Sequence, residues 1–205
     1  NETNLKNAKK LRLICVAATG YDNIDTAYCR ENGIAVCNVK GYSTHSVAQL
    51  TVSMALSLVM HQKEYNDFVR SGKYTKSGVA NRLSPTYYEV NGKTWGIVGL
   101  GNIGKQVAKV AEAMGCRVIA FKRTPDPDYN CVTLSELMEK SDIISVHLPA
   151  GDETNGIISR EMISRMKKNA VFVNVARGSV VDEEALCDAV LENRLLGVGI
   201  DVYST

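Results

Sequence analysis

Residues 93–124 read K-T-W-G-I-V-G-L-G-N-I-G-K-Q-V-A-K-V-A-E-A-M-G-C-R-V-I-A-F-K-R-T. The run 95–100 is apolar and β-prone, which predicts a buried strand. Apolar residues then recur at helical spacing from Ile103 to Met114, and residues 117–121 are typical of a second strand. We therefore expect a β-α-β unit whose first turn is rich in glycine.

The glycines of that turn, Gly99, Gly101 and Gly104, have the spacing G-x-G-x-x-G. In a dinucleotide-binding unit the first permits a tight turn, the second lets a pyrophosphate approach, and the third lets the helix pack closely on the strand. The helix N-terminus would bind the phosphates through free N–H groups and its dipole. Strand, glycines, helix and strand occur in the required order, which favours this interpretation over a glycine-rich turn in another α/β domain.

The end of the second strand indicates which dinucleotide is bound. NAD-binding units usually carry Asp or Glu here, which binds the adenosine ribose hydroxyls. This sequence has Lys122, Arg123 and Thr124 instead. Two cations and a hydroxyl suit the 2′-phosphate of NADP, so we predict NADP as cofactor, with NAD as a possible second. The alternative is a solvated basic turn.

The composition is that of a folded protein without a large charged surface. The 205 residues are 45% hydrophobic with a formal net charge of +2, so we expect no nucleic-acid partner. The six cysteines occur singly without metal-ligand spacing, which indicates buried thiols in a reducing compartment and no bound metal. We see no signal peptide, and the most apolar run, 47–60, is too short to span a bilayer. We expect a cytoplasmic protein with no membrane partner.

Residues 1–40 are predicted to be a small unit separate from residues 41–205. A helix tail is expected over 5–10, strands over 11–18 and 34–39, and a helix over 25–32. A β-α-β unit this small cannot bury its faces alone, so it should belong to an incomplete domain.

The second unit is predicted to open with a long helix. Ser46 is a suitable N-cap, and the helix should continue to Arg70, apolar on most sides up to Met60. Residues 71–91 show no clear period, which is typical of a functional loop, an arm or an interface.

From residue 133 onward, helices and strands alternate. Helices are predicted over 134–140, with Thr133 as cap, over 159–166 and over 182–192, and strands over 143–148, 170–176 and 196–202. Alternation predicts an α/β fold with a doubly wound parallel sheet, which binds ligands beyond the carboxyl ends of its strands. Lys122, Pro149, Arg177 and Asp201 occupy such ends with the glycine turn, so we expect one shared site.

Arg177 is the outstanding catalytic candidate, because it follows an apolar strand and precedes a glycine at that edge. A guanidinium binds carboxylate and carbonyl oxygens bidentately and keeps its proton, which suits a carboxylate beside a ketone. Asp201 could accept a hydrogen bond from a nicotinamide carboxamide. His147 lacks an obvious carboxylate partner, and we interpret it, His45 and His61 as structural. The alternatives for Arg177 and Asp201 are a surface arginine and a capping carboxylate.

Several stretches closely resemble the D-isomer-specific 2-hydroxyacid dehydrogenases. They are A-T-G-Y-D-N-I-D (18–25), S-V-A-Q-L (46–50), G-L-G-N-I-G (99–104), S-D-I-I-S-V-H-L-P-A-G-D-E-T (141–154), M-K-K-N-A-V-F-V-N-V-A-R-G-S-V-V-D (166–182) and G-V-G-I-D-V-Y (197–203). They cover nearly the whole chain in the family's order, and the last three together are very specific.

The resemblance implies roles for individual positions. Arg177 would anchor the substrate carboxylate and polarise its ketone, Gly20 and Tyr21 would bind that carboxylate, and residues 42–46 would form the hinge. Beyond the glycines and residues 122–124, cofactor contacts would come from Thr19, Asn102, Ile103, Leu148, Pro149, Thr154, Val175, Ala176 and Asp201.

The sequence departs from the family in three respects. Lys122 replaces the usual Asp, which favours NADP over NAD. The family's catalytic Glu would follow Thr205 directly, with its catalytic His further on. Most of the substrate-binding domain is absent, so 1–40 would be its remnant and 41–205 an incomplete dinucleotide-binding domain. This chain alone is therefore expected to bind dinucleotide without turnover.

The resemblance implies an oxidoreductase that transfers a hydride between NADP or NAD and a 2-keto or 2-hydroxy acid such as glyoxylate or hydroxypyruvate. One rival is a dinucleotide-sensing interaction protein, like the corepressors that share this fold. Another is a phosphite or formate dehydrogenase. Related enzymes pair through the regions 47–60 and 71–91, so we also expect a homodimer.

Overall fold

The computed structural model describes residues 2–204, which form two parallel β-sheets and the helices around them. The strands are β1 (Leu13–Val16), β2 (Ala35–Asn38), β3 (Thr94–Val98), β4 (Arg117–Phe121), β5 (Ile143–Val146), β6 (Val171–Asn174) and β7 (Gly197–Ile200). The helices are α1 (Glu2–Leu5), α2 (Thr26–Glu31), α3 (Thr44–Val59), α4 (Gln62–Arg70), α5 (Lys73–Ser77), α6 (Asn102–Ala113), α7 (Leu134–Lys140), α8 (Arg160–Ser164) and α9 (Glu183–Leu191). A 3-10 turn covers Gly178–Val180.

The larger sheet has five described strands in the order β4-β3-β5-β6-β7. The chain begins this sheet at β3, adds β4 on one side and then crosses to place β5 on the other. All of these pairings are parallel, which confirms the predicted doubly wound α/β fold. The strand order reverses between β3 and β5, and open α/β sheets bind ligands in the crevice at such a point.

Two apolar layers hold the helices against the sheet. Helices α3 and α6 cover one face, where Trp95, Ile97 and Val107 are fully buried. Helices α7, α8 and α9 cover the other face, over Ile144 and Phe172. Because both faces are buried, the strands are almost continuous apolar runs, which made them visible in the sequence.

A chain of hydrogen bonds links β3 to the end of β5. The indole Nε1 of Trp95 donates to Ser145 Oγ at 3.0 Å, and Ser145 Oγ lies 3.0 Å from His147 Nε2. The other ring nitrogen, Nδ1, is buried without a hydrogen-bond partner among the described residues. Burial lowers the pKa of His147 from 6.5 to about 3, so the imidazole is neutral at pH 7.

The smaller sheet consists of β1 and β2, paired in parallel with Leu13 opposite Ala35. This confirms the predicted β-α-β arrangement near the N-terminus. Its apolar side chains are poorly covered: Leu13 of β1 is 49% exposed, as is Val39 directly after β2. The division of the chain near residue 40 stays a prediction.

The prediction of one helix from Ser46 to Arg70 is wrong. Helix α3 ends at Val59, His61 has a left-handed backbone with φ 48°, and α4 begins at Gln62. The N-cap of α3 is Ser43, and Ser46 lies in the first turn, where its Oγ donates to the Ser43 carbonyl at 3.1 Å. No glycine or proline marks this break. Within residues 2–204, no helix is long and apolar enough to cross a membrane.

Three smaller predictions also need correction. The first described helix is Glu2–Leu5, and residues 6–10 are turn and loop. Residues 71–91 contain the short helix α5, which lies between the left-handed glycines Gly72 and Gly78. Only two of the six free cysteines, Cys29 and Cys116, are buried.

Most of the other helices and strands end one to three residues short of their predicted bounds, in part because a capping residue precedes its helix, as Thr133 does for α7.

His147 should make the fold sensitive to mild acid. In the unfolded state the imidazole takes up a proton near pH 6.5, whereas in the folded state it does so only at a pH of about 3. The free energy of unfolding therefore falls as the pH drops between these two values. We expect the free energy of unfolding to fall by about 1.4 kcal/mol per pH unit through this group. His147→Gln should remove that slope in urea titrations from pH 7 to 4, and a control variant of the exposed His45 should keep it. Parallel slopes for wild type and His147→Gln would contradict this.

Candidate active site

Two clefts meet at the crevice between β3 and β5. The first cleft, about 760 Å³, is lined by the glycine turn, residues 121–124 at the end of β4, and the loop 147–154. The second cleft, about 550 Å³, is lined by residues 18–22, by Ile103 and by residues 175–177. Residues 147–150 line both clefts, so a ligand that follows the carboxyl edge of the sheet can extend from one into the other.

The glycine turn leaves open space only where a ligand would approach. Gly99 has φ 101°, and a Cβ there would lie 2.8 Å from the carbonyl carbon of His147. A Cβ on Gly104 would collide with the carbonyl oxygen of Gly99. At Gly101, the N-cap of α6, a Cβ would meet nothing within 4 Å. The N-terminus of α6 is therefore uncrowded at Gly101, and phosphate binding there stays a prediction.

Lys122 does not stand alone at the end of β4. The carboxylate of Asp126, which is almost buried, lies 2.7 Å from Lys105 Nζ and 3.3 Å from Lys122 Nζ. The pKa of Asp126 falls to about 2, mainly because Lys105 donates a hydrogen bond to it. Sequence reasoning missed both Lys105 and Asp126, although Asp126 stands between two prolines directly after the basic turn.

Arg123 is paired as well. Its Nη1 lies 2.6 Å from Glu153 Oε2 across the mouth of the first cleft, and both side chains are exposed. Thr124 lines the same cleft. The three cations Lys105, Lys122 and Arg123 are therefore all paired with carboxylates, and Asp152 also lines the first cleft, whereas the sequence suggested two free cations.

The loop after β5 separates the two clefts. Leu148 and Pro149 line both of them. Thr154, a predicted cofactor contact, uses its hydroxyl to donate to the carbonyls of Pro149 at 2.6 Å and Gly151 at 3.1 Å. The threonine thus holds the shape of the loop and also lines the first cleft.

Arg177 lies in the second cleft with a partner that sequence reasoning missed. Its Nε is 3.1 Å from both carboxylate oxygens of Asp22, and its Nη2 donates to Asp22 Oδ1 at 2.8 Å. This pairing lowers the pKa of Asp22 and raises that of Arg177. Its Nη1 donates to the carbonyl of Ala176 at 2.6 Å. The signal available in the sequence was the position of Asp22 within A-T-G-Y-D.

The turn that carries Arg177 is held by Asn174 at the end of β6. Asn174 Oδ1 accepts from the N–H of Ala176 at 3.0 Å, and its Nδ2 donates to the carbonyl of Arg177 at 2.9 Å. Val175 and Ala176 are buried, and the exposed Asp201 donates its N–H to the carbonyl of Asn174 at 3.0 Å. Asn174 was not recognised in the sequence, although it interrupts an apolar strand.

The loop of residues 18–20, here called the A-T-G loop, is anchored to the end of β2. Asn38 Nδ2 donates to the carbonyl of Thr19 at 2.7 Å, and Thr19 Oγ1 donates to the carbonyl of Val39 at 3.2 Å. Gly20 lies against Arg177, because a Cβ on Gly20 would lie 2.9 Å from Arg177 Cζ. Tyr21 is 48% exposed and lines the second cleft.

The structure brings nearly all of the predicted site residues to these two clefts. Asn102 and Gly104 are the exceptions, since they lie in the first turn of α6 and line neither cleft. Among residues 2–204, no histidine forms a pair with a carboxylate in the second cleft. His147 is hydrogen-bonded to Ser145, and His61, which contacts Glu64, does not line the second cleft.

Comparison with known proteins identifies the fold and the family. Residues 52–205 match the family model described as "D-isomer specific 2-hydroxyacid dehydrogenase, NAD binding domain". A hydroxypyruvate reductase of Thermotoga maritima is 38% identical over 202 residues, which cover 97% of this chain and 64% of that protein. A glyoxylate reductase of Thermococcus litoralis is 39% identical over 97% of this chain and 62% of its own length.

Solved structures give the same result. The D-lactate dehydrogenase of Aquifex aeolicus, complexed with NAD and lactic acid, superimposes with a TM-score of 0.91 at 36% identity, over 100% of this chain and 61% of that one. An acyclic imino acid reductase in complex with NADPH and D-Arg gives a TM-score of 0.88 at 31% identity, over 96% and 63%. The chain thus spans just under two thirds of the length of the curated relatives that it matches. The chain belongs to the D-isomer-specific 2-hydroxyacid dehydrogenase family.

Proposed function

We propose that the whole protein is a dinucleotide-dependent reductase of short 2-keto acids such as glyoxylate or hydroxypyruvate. One observation carries this proposal: the guanidinium of Arg177 lies in a cleft that adjoins a glycine turn open to phosphate. The two neighbouring clefts thus offer separate places for a cofactor and for an acid. The names of its relatives support the same substrate class.

The first cleft fits the adenosine and pyrophosphate of a dinucleotide. The open space at Gly101, the N-terminus of α6 and the cations at Lys105 and Lys122 favour phosphate there. Leu148 and Pro149 line both clefts and would contact the cofactor where it crosses into the second. Val175, Ala176 and Asp201 would then lie beside the nicotinamide, which supplies the hydride when bound.

The second cleft fits a carboxylate next to a ketone. Arg177 would bind and polarise the substrate, and the backbone N–H groups near Gly20 and Tyr21 would bind its carboxylate. His147 is a poor proton donor at neutral pH, because desolvation lowers its pKa to about 3 and its Nδ1 is buried without a partner among the described residues. We assign the proton to the His–Glu pair that the family resemblance places after Thr205. We likewise assign residues 1–40 to the substrate-binding domain and residues 41–205 to the dinucleotide-binding domain.

Substitution of Arg177 tests this function in the whole protein. Arg177→Ala should lower kcat/KM for glyoxylate or hydroxypyruvate by about 10²–10³-fold, the usual effect of removing a donor to a developing oxyanion. The kcat/KM of Arg177→Lys should lie between those of the wild type and Arg177→Ala, because lysine keeps the charge but lacks the planar fork. Arg160→Lys, in an exposed pair with Asp188, is the matched control and should behave as wild type. Wild-type turnover by Arg177→Ala, or no turnover by the wild type with any 2-keto acid, would contradict the proposal and favour a sensing role.

We also propose a preference for NADP. Support comes from the lysine at position 122, where NAD-binding units usually carry an acid, from Lys105, which shares Asp126 with it, and from the neighbouring Arg123. Because Asp126 and Glu153 already pair with these cations, a 2′-phosphate must share or replace those contacts. The 2′-phosphate should therefore add less to the affinity for NADP than it would beside unpaired cations.

Calorimetry tests the cofactor preference at one fixed, moderate salt concentration, since exposed ion pairs are screened. NADPH should bind at least about tenfold more tightly than NADH, which requires only about 1.4 kcal/mol. Lys122→Asp should abolish or reverse this preference, and the exposed Lys109→Asp on α6 should leave it unchanged. Equal affinities in the wild type would contradict NADP preference without affecting the proposed reductase activity.

We propose a homodimer in the cytoplasm. The arm of residues 71–91 is held on α4, where Tyr65 Oη donates to the carbonyl of Pro85 at 2.6 Å. It nevertheless presents Leu83 and Tyr87 to solvent, 83% and 54% exposed. An ordered arm with an exposed apolar surface is typical of an interface. The free thiols support a reducing compartment.

Sedimentation tests the dimer at micromolar concentration. Leu83→Asp should shift the protein towards monomer, because it would bury an unpaired charge in the interface. Leu191→Asp is the control, since Leu191 is 79% exposed on α9, away from the arm. A wild-type protein that stays monomeric at every concentration would contradict the proposal.

A further inference from the structure

The contact between Asp22 and Arg177 joins two segments far apart in the sequence. The carboxylate accepts from Nε and from Nη2, which together form one side edge of the guanidinium. The carbonyl of Ala176 accepts from Nη1 at 2.6 Å. A guanidinium has five N–H donors, so one on Nη1 and one on Nη2 stay without a protein acceptor among residues 2–204. The Nη1–Nη2 edge of the guanidinium, here called its tip, therefore keeps one uncommitted N–H on each nitrogen.

We propose that Asp22 is a positioning residue for Arg177: it holds the side edge of the guanidinium, so that the tip faces the second cleft and a substrate carboxylate or carbonyl there. The proposal rests on the proposed function, because it assigns Asp22 a task in that reaction. A planar guanidinium can accept one bidentate partner at its side and another at its tip. A substrate could therefore bind without displacing Asp22.

The surroundings of the pair support orientation rather than stability as its role. The side chains of Arg177 and Asp22 are 35% and 44% exposed, and ion pairs this exposed contribute little to folding. The backbone nevertheless makes room for this pair. A Cβ on Gly20 would overlap Nη2 of Arg177 and would lie 3.0 Å from Asp22 Oδ1. Gly20 thus allows Arg177 to lie flat against the A-T-G loop.

The opposite role for Asp22 is a competitor that occupies Arg177 until an acidic substrate displaces it. The two roles predict opposite effects of removing the carboxylate. A competitor lowers the affinity for an anion, so its loss would lower KM and raise kcat/KM. A positioning residue fixes the arginine in its reactive orientation, so its loss would lower kcat/KM despite the more positive cleft. The bond from Nη1 to Ala176 favours positioning, because two acceptors then hold the guanidinium while Nη1 and Nη2 each keep an uncommitted N–H.

Kinetics of the whole protein with glyoxylate or hydroxypyruvate distinguish these roles. We expect Asp22→Asn to lower kcat/KM at least about tenfold, through both kcat and KM, with Asp22→Ala lower still. The affinity for dinucleotide should stay unchanged in both variants, which shows that the fold is intact. Asp188→Asn, which removes the carboxylate from the exposed pair with Arg160, is the control and should match wild type. In an Arg177→Lys background, Asp22→Asn should lower kcat/KM only slightly further, because lysine has no side edge for a carboxylate to hold.

A second readout does not depend on activity. In ¹⁵N-arginine spectra, the Nε–H signal that disappears in Arg177→Lys should exchange slowly in wild type and in Asp188→Asn, and rapidly in Asp22→Ala. Equal protection in Asp22→Ala would overturn the positioning role, as would an unchanged or raised kcat/KM in Asp22→Asn. If the wild type reduces no 2-keto acid, the proposed function fails. Slow Nε–H exchange that depends on Asp22 would then still establish that Asp22 orients Arg177.

Discussion

The site depends on backbone segments that approach more closely than any side chain would allow. Gly104 at the start of α6 lies against the carbonyl of Gly99, and Gly99 lies against the backbone of His147 at the end of β5. These contacts bring β3, α6 and β5 together at the point where the strand order reverses. The first cleft, the second cleft and the loop between them all take their positions from this convergence. A Cβ at Gly99 or Gly104 would push these segments apart.

Both clefts use the same electrostatic arrangement, in which a carboxylate holds a cation and leaves other donors of that cation available. Asp126 contacts the ammonium groups of Lys105 and Lys122, each of which has three donors. Asp22 accepts from Nε and Nη2 of Arg177 and leaves a second N–H of Nη2 available to a ligand. Long basic side chains lose much conformational entropy when a ligand orders them. A carboxylate that orders them beforehand reduces this loss, although it also lowers the local positive charge.

The sequence was most informative where structure depends on neighbouring residues. Apolar runs marked every strand of the larger sheet, and β3, β5 and β6 are almost continuous apolar runs because they are buried on both faces. Thr133 was recognised as an N-cap, since a cap and the N–H that it accepts lie three residues apart. The break at His61 was missed because a left-handed histidine carries no sequence signal comparable to glycine. The exposure of Cys15 and Cys37 was missed because burial depends on what covers β1 and β2.

The amino-acid sequence by itself determined the parallel sheet, the glycine turn and the placement of Lys122, Arg177 and Asp201 at strand ends. Each follows from local periodicity or from a backbone conformation that few residues adopt. Only the tertiary structure decided which charges meet: Asp22 with Arg177, Asp126 with Lys105, and Glu153 with Arg123. Asp22 and Arg177 are 155 positions apart, and their contact arises only once the A-T-G loop and the end of β6 adjoin the same cleft. Such pairing depends on how distant segments pack together, and no local pattern in the chain encodes it.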